Sequence, residues 1–162
     1  MKRFQKLLVP MDFSSAAKNA LQVAADLSRR YQSTLALVHV LEPELFSVPE
    51  SFQLRATTEL PQLTNHIAHL LEMMHHDLQS EGVTSAEPVL LQGTAYAEIA
   101  RLATAGNYDL IVMGAHGRTG PAQAMVGSVA ERVMRLSPCA VMTVPESAEQ
   151  PAQPTADNEP RA

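Results

Sequence analysis

One glycine-rich stretch, MGAHGRTGPAQAMVGSVAERV, contains the residues whose types and spacing are best suited to chemistry. It holds four of the seven glycines of the chain. Gly114 and Gly117 follow a predicted strand, whereas Gly127 stands at the start of a predicted helix and is followed by Ser128. Glycine lets a backbone turn sharply or approach a ligand closely, and a helix N-terminus offers free N–H groups and partial positive charge. The spacing therefore favours a loop whose N–H groups surround a phosphate.

Two further residues support this hypothesis. Ser128 would add a hydroxyl, and Arg118 is the cation within the loop. The simpler interpretation, that the glycines only turn the chain, stays open. Neither G-x-x-x-x-G-K-[ST] nor a G-x-G-x-x-G after the first strand is present, so the stretch is not one of the common phosphate motifs.

A second candidate segment follows the first predicted strand. Pro10, Met11 and Asp12 end that strand and lead to Ser14 and Ser15, which are candidate helix caps. In open parallel sheets, ligands bind outside the carboxyl ends of the strands, where the strand order reverses. If the first and fourth strands are neighbours, Asp12 and the glycine stretch face one crevice.

The remaining candidates have simpler interpretations. Two histidines of the second helix three residues apart could share a metal ion, but no second segment supplies a partner, and a solvated face is favoured for His66, His69, His75 and His76. His39 is predicted to be a hydrogen-bonded core residue. His116 could act as a general acid or base, but a binding or spectator role is favoured because no orienting carboxylate is evident. We predict no catalytic residue and no metal-ligand set.

The elements that position these residues alternate between strand and helix. Continuous apolar runs are typical of parallel strands that are buried on both faces, and the alternation predicts an α/β fold with a three-layer, doubly wound sheet. Glu42 to Thr58 has no clear period and is predicted to be a long loop, so that Pro61 falls in the first turn of the second helix. The predicted strands are 4–10, 33–41, 87–92, 108–114 and 139–145, and the helices cover about 15–31, 59–82, 94–106 and 126–136.

Composition and charge limit the functional class. The 162 residues carry a formal net charge of −5, and no basic face suggests nucleic-acid binding. Residues 1–145 are predicted to form one domain, and the acidic, proline-rich residues 146–162 a disordered tail. Cys139 is the single cysteine, so no intramolecular disulfide is expected. No apolar run predicts membrane insertion, and a cytoplasmic location is expected.

The spacing Gly114-x₂-Gly117-x₉-Gly127-Ser128 resembles the ATP-binding signature G-x₂-G-x₉-G-[ST] of the universal stress protein family. The segments LLVPMDFS, LALVHV and YDLIVMGAHGRTG are similar to that family as well, over about Phe4 to Pro145. The resemblance implies a five-stranded parallel sheet in the order 3-2-1-4-5. It also implies a homodimer that pairs through the last strand, Cys139 to Pro145.

The resemblance also implies a nucleotide site. The base and nucleoside would lie near Pro10, Met11, Asp12 and Val40, with Met113 and Gly114 beneath the ribose and phosphates. The phosphates would be held by His116, Gly117, Arg118, Gly127, Ser128 and Val129. One departure concerns Ala130, which stands where nucleotide-binding relatives often carry a hydroxyl.

The leading functional hypothesis is a cytoplasmic ATP-binding stress protein that acts as a nucleotide-dependent regulator. Mg²⁺ is a candidate companion of the nucleotide, held through phosphates and water. Without a P-loop lysine or an evident general base, efficient hydrolysis is not expected. Two alternatives stay open: a slow ATPase or self-phosphorylating enzyme, with Ser128 as one acceptor, and a module that regulates a transporter or enzyme and has a vestigial nucleotide site.

Overall fold

The structure is a computed structural model that describes residues 4–42, 50–116 and 126–146, with side chains of the second helix described from residue 60 onward. Five strands and four helices alternate along the chain. The strands are β1 (Lys6–Pro10), β2 (Thr34–Leu41), β3 (Val89–Gln92), β4 (Leu110–Gly114) and β5 (Ala140–Val144). The helices are α1 (Ser15–Tyr31), α2 (Glu50–Ser80), α3 (Ala95–Ala105) and α4 (Ser128–Leu136).

All strand pairs are parallel, and the sheet order is β3-β2-β1-β4-β5. The predicted α/β doubly wound fold and its strand order 3-2-1-4-5 are therefore confirmed. β1 lies between β2 and β4, so the direction of winding reverses between β1 and β4. This reversal point is where a sheet of this kind opens a crevice at its carboxyl edge.

The central strands are covered on both faces. The sheet lies between two hydrophobic cores. Leu7 and Val9 of β1 face the first core, and Leu8 faces the second. The first core packs against α1 and α2, and the second packs against α3 and α4. This two-sided burial explains why residues 7–9 of β1 and residues 110–113 of β4 are all apolar.

The largest difference from the sequence-based expectation is the start of α2. The helix begins at Glu50, not near residue 59, and Pro61 lies inside it, not in its first turn. The predicted loop over Glu42 to Thr58 was wrong from residue 50 onward. Its residues are mostly good helix formers that lack an apolar period, and helical propensity does not depend on that period. Beyond Pro61, burial of Ile67, Leu71 and Leu78 stabilises the helix.

No helix within residues 4–42, 50–116 and 126–146 is long and apolar enough to cross a lipid bilayer. The predicted tail, apart from Glu146, falls outside the described residues.

Candidate functional site

A crevice of about 1020 Å³ lies at the carboxyl edge of the sheet. It is lined by the ends of β1, β2 and β4, by one side of α2, and by the first turns of α3 and α4. Its volume is at the upper end of the range for small-molecule sites, about 300–1000 Å³. The crevice therefore coincides with the reversal point of the sheet.

Ten of the twelve residues proposed from the sequence line this one crevice. They are Pro10, Met11, Asp12, Val40, Met113, Gly114, His116, Gly127, Ser128 and Val129. Gly117 and Arg118 lie outside the described residues. The fold thus brings together segments that are more than one hundred residues apart in the sequence.

The turn between β1 and α1 is held by its own side chains. Asp12 Oδ1 accepts hydrogen bonds from the Ser14 backbone N–H at 2.9 Å and from the Ser14 hydroxyl at 2.5 Å. Ser14 Oγ in turn accepts from the Ala17 N–H at 3.1 Å, which caps α1 as predicted. Phe13, between them, has a φ of 65°, which is unusual for a bulky residue. One oxygen of Asp12 is therefore committed to the turn.

His39 of β2 stabilises the same turn through a hydrogen bond. Its Nδ1 lies 2.6 Å from the Met11 carbonyl oxygen, and because a carbonyl only accepts, Nδ1 carries the proton. The ring centroid is 5.3 Å from that of Phe13. The predicted hydrogen bond is confirmed, but the predicted core position was wrong, because His39 is only partly buried and lines the crevice. Its place beside Val40, at the carboxyl end of β2, was the available signal.

Gly114 is required by packing between β4 and α1. A Cβ atom at this position would lie 3.0 Å from the Ala16 Cβ and 3.0 Å from the Ala17 nitrogen. Contacts between such atoms are ordinarily about 3.5–4.0 Å. This glycine therefore allows the end of β4 to approach α1, which sets two walls of the crevice.

The N-terminus of α4 opens on the crevice. Gly127 is the N-cap; its own N–H donates to the Ala115 carbonyl at 2.7 Å, and no described side chain caps the helix. Ser128 is exposed at the first helical position. His116 Nε2 is buried and has no hydrogen-bond partner among the residues described. The first-turn N–H groups of α4 are thus suited to an anionic ligand.

The N-terminus of α3 lies at the same crevice but carries a carboxylate. Glu42, directly after β2, accepts a hydrogen bond from the Ala95 N–H through Oε1 at 2.7 Å. Both residues line the crevice. The sequence interpretation missed this contact because the two residues are 53 positions apart.

The walls of the crevice are mainly apolar, and the charged groups among its described lining residues are acidic. α2 contributes Leu60, Leu63, Ile67 and Leu70. Asp12 and Glu42 are the carboxylates, and none of the described lining residues is lysine or arginine. An apolar cavity with few polar groups suits a flat aromatic base with a polar extension.

One histidine of α2 contradicts the predicted solvated face. His75 is buried, and its Nδ1 pairs with the Ser85 hydroxyl at 2.9 Å. It faces the core because it follows Leu71 by four residues and precedes Leu78 by three, on the same stripe. His66, His69 and His76 are exposed, and His66 also lines the crevice.

Neither a metal-ligand cluster nor a reactive cysteine is evident in the described residues. Within the described parts of the chain, no three His, Cys, Asp or Glu residues are grouped as metal ligands. Cys139 is half-buried just before β5, with its sulfur 3.5 Å from the Ser137 hydroxyl oxygen.

Comparison with known proteins places this architecture in a family. Residues 3–145 match the universal stress protein family. The universal stress protein Sll1654 of Synechocystis is 33% identical over 142 residues, which cover 88% of this chain and 86% of that protein. The solved structure of MJ0577, a universal stress protein of Methanocaldococcus jannaschii, superposes with a TM-score of 0.78 at 25% identity, over 91% of this chain and 99% of that chain.

A further universal stress protein, solved in complex with cAMP, has a TM-score of 0.66 at 22% identity, with coverage of 90% of this chain and 100% of that chain. This likeness concerns the fold alone. The match over residues 3–145 and the identity with the Synechocystis protein show more than a shared architecture. The chain belongs to the universal stress protein family.

Proposed function

We propose that this protein binds ATP in the crevice and acts as a cytoplasmic, nucleotide-dependent regulator in stress response. The observation that carries the proposal is the N-terminus of α4. Three helices begin at the crevice; α1 is capped by Ser14 and α3 by Glu42, whereas no described side chain caps α4. A phosphate would accept hydrogen bonds from those N–H groups and favourable charge from the helix.

The position of the nucleoside follows from the rest of the crevice. With the phosphates at Gly127, Ser128 and Val129, the base extends toward Met11 and Val40, between apolar walls. Asp12 is the polar contact on the nucleoside side. The family member solved with cAMP supports an adenine nucleotide as the ligand class.

The charge of the crevice supports a metal-bound nucleotide. Asp12 and Glu42 repel a triphosphate, and the described lining residues supply neither lysine nor arginine. Mg²⁺ bound to the phosphates and to water would reduce this repulsion. Arg118, outside the described residues, is the cation that the sequence motif offers to the phosphates.

Substitution of Gly127 tests the site without straining the backbone. Its backbone, with φ −62° and ψ 156°, is accessible to any residue. Gly127→Ser should stabilise the protein by a few tenths of a kcal/mol, because a serine N-cap accepts from the first-turn N–H groups. The same hydroxyl competes with the phosphate, so ATP affinity should fall. Gly127→Val should weaken ATP binding at least about tenfold by covering those N–H groups.

Isothermal titration calorimetry with Mg·ATP measures both variants, and urea unfolding measures their stability. Glu72→Ala, on an exposed position of α2 outside the crevice, is the control. Wild-type affinity in both Gly127 variants would exclude α4 as the phosphate site.

His116 supports a second candidate function, slow ATP hydrolysis or self-phosphorylation. His116 lines the same crevice, and its Nε2 is buried without a hydrogen-bond partner among the described residues. Such a nitrogen could accept a proton from an attacking water or from the Ser128 hydroxyl. Incubation with γ-labelled ATP tests this candidate: turnover above the buffer background that is lost in His116→Gln would support it, and background turnover would exclude it.

We also propose a homodimer that pairs through residues 139–145. β5 is an edge strand of the sheet. Met142 on this strand and Leu136 at the end of α4 are exposed apolar side chains. An open edge with apolar neighbours favours pairing with a second copy. Sedimentation equilibrium of the wild type and of Met142→Lys tests this arrangement.

A further inference from the structure

Two helices present comparable N-termini to the crevice. The N-caps of α3 and α4, Thr94 and Gly127, have extended backbone conformations, and neither helix receives a hydrogen bond from the side chain of its N-cap. The first turns of both helices line the crevice, through Ala95 and Ser128. By backbone geometry alone, a nucleotide could place its phosphates at either end.

The charged residues of the two first turns are matched as well. Glu98 is the fourth residue of α3 and pairs with Arg101 at 2.6 Å, while Glu131 is the fourth residue of α4 and pairs with Arg135 at 2.7 Å. The helices differ at Glu42, whose carboxylate accepts from the first N–H of α3 at 2.7 Å, and the Glu98 side chain is less exposed than that of Glu131. An equivalent carboxylate is not found at α4 among the described residues.

We propose that Glu42 sets the direction in which the nucleotide binds. Its carboxylate takes the hydrogen bond and the favourable charge that the N-terminus of α3 would otherwise give to a phosphate. The negative charge also repels phosphates from that end of the crevice. Of these two helix ends, the N-terminus of α4 is then the one that accepts the phosphates, so the base extends toward β1 and β2. This inference rests on the proposed nucleotide site.

Glu42 can be changed without loss of the fold, because its side chain is exposed. Glu42→Ala frees the Ala95 N–H and removes the charge. Glu42→Gln keeps an acceptor but removes the charge. The effect of one charge near a helix terminus predicts that Mg·ATP affinity rises about two- to fivefold in Glu42→Ala. Glu72→Ala is the control for the change in net charge.

Paramagnetic broadening of amide NMR signals by Mn·ATP locates the phosphates directly. In the wild type and in Glu72→Ala, we expect broadening at Ser128 and Val129, with Ala95 much less affected. In Glu42→Ala and Glu42→Gln, we expect Ala95 to broaden as well, because part of the nucleotide then binds in the reverse direction.

The outcomes separate this inference from the proposed function. Broadening at Ser128 in every variant, without any new broadening at Ala95 after loss of Glu42, would overturn the role of Glu42 and leave the nucleotide site intact. The absence of broadening at Ser128 in the wild type would overturn the nucleotide site itself. Circular dichroism spectra confirm that each variant is folded.

Discussion

Replacement of Gly114 by alanine tests how β4 and α1 shape the crevice. The new Cβ would lie 3.0 Å from the Ala16 Cβ and from the Ala17 nitrogen. Gly114 is not among the glycines with positive φ, so alanine strains no dihedral angle. The whole penalty therefore arises from overpacking against the backbone of α1.

The size of the penalty follows from these distances. Relief of the contacts requires a shift of about 0.5–1 Å to reach ordinary separations. Overpacking of this kind costs about 1–3 kcal/mol, partly offset by the lower entropy of alanine in the unfolded chain, about 0.4–1 kcal/mol. We expect a net loss of about 1–2 kcal/mol and a fall in Tm of about 2–8 °C for a domain of this size.

Urea unfolding and calorimetry with Mg·ATP measure the two consequences in the same variant. Because α1 must move away from β4, ATP affinity should fall together with stability. Gly82→Ala is the matched control: its φ of 79° strains alanine, but no atom lies within 4 Å of the new Cβ and the residue is not at the crevice. Gly82→Ala should therefore lose stability and keep wild-type affinity. Wild-type stability of Gly114→Ala would refute the tight approach of β4 to α1.

Two further predictions concern stability. His75→Ala should lower the free energy of unfolding in urea by about 2–3 kcal/mol, because it leaves a cavity and an unpaired Ser85 hydroxyl. His76→Ala, at the exposed neighbouring position, is the control and should change that free energy by less than about 0.5 kcal/mol. Equal effects of the two substitutions would contradict the burial of His75. Burial raises the pKa of Tyr108, so the stability that its neutral phenol contributes is complete below about pH 10 and is lost as the pH rises through the raised pKa. Urea midpoints between about pH 9 and pH 11 should thus fall more steeply for the wild type than for Tyr108→Phe, and parallel profiles would contradict the assignment.

Local sequence pattern predicted most of the elements. Apolar runs located the five strands, and the Ser14 cap located the start of α1. The strand order came from the family resemblance, because strand pairing depends on contacts between distant residues. Once that order is given, the rule for crevices in parallel sheets brings Asp12 and Gly127 to one place.

The features that the sequence did not reveal depend on tertiary contacts or on propensity without periodicity. Residues 50–58 are helical although they show no apolar stripe. His75 is polar yet sits on the buried stripe of α2, where Ser85 from a later segment satisfies it. Glu42 caps a helix 53 residues away. Gly114 was assigned to the nucleotide, whereas the structure shows a packing reason for it as well.

Nucleotide binding at the crevice is tested most directly by mass spectrometry. The purified protein is incubated with Mg·ATP, free ligand is removed, and the nucleotide released by denaturation is identified by its mass. We predict an adenine nucleotide at close to one equivalent per chain for the wild type and its loss in Gly127→Val. Absence of nucleotide from the wild type, together with no heat of binding in calorimetry at millimolar ATP, would contradict nucleotide binding at this crevice.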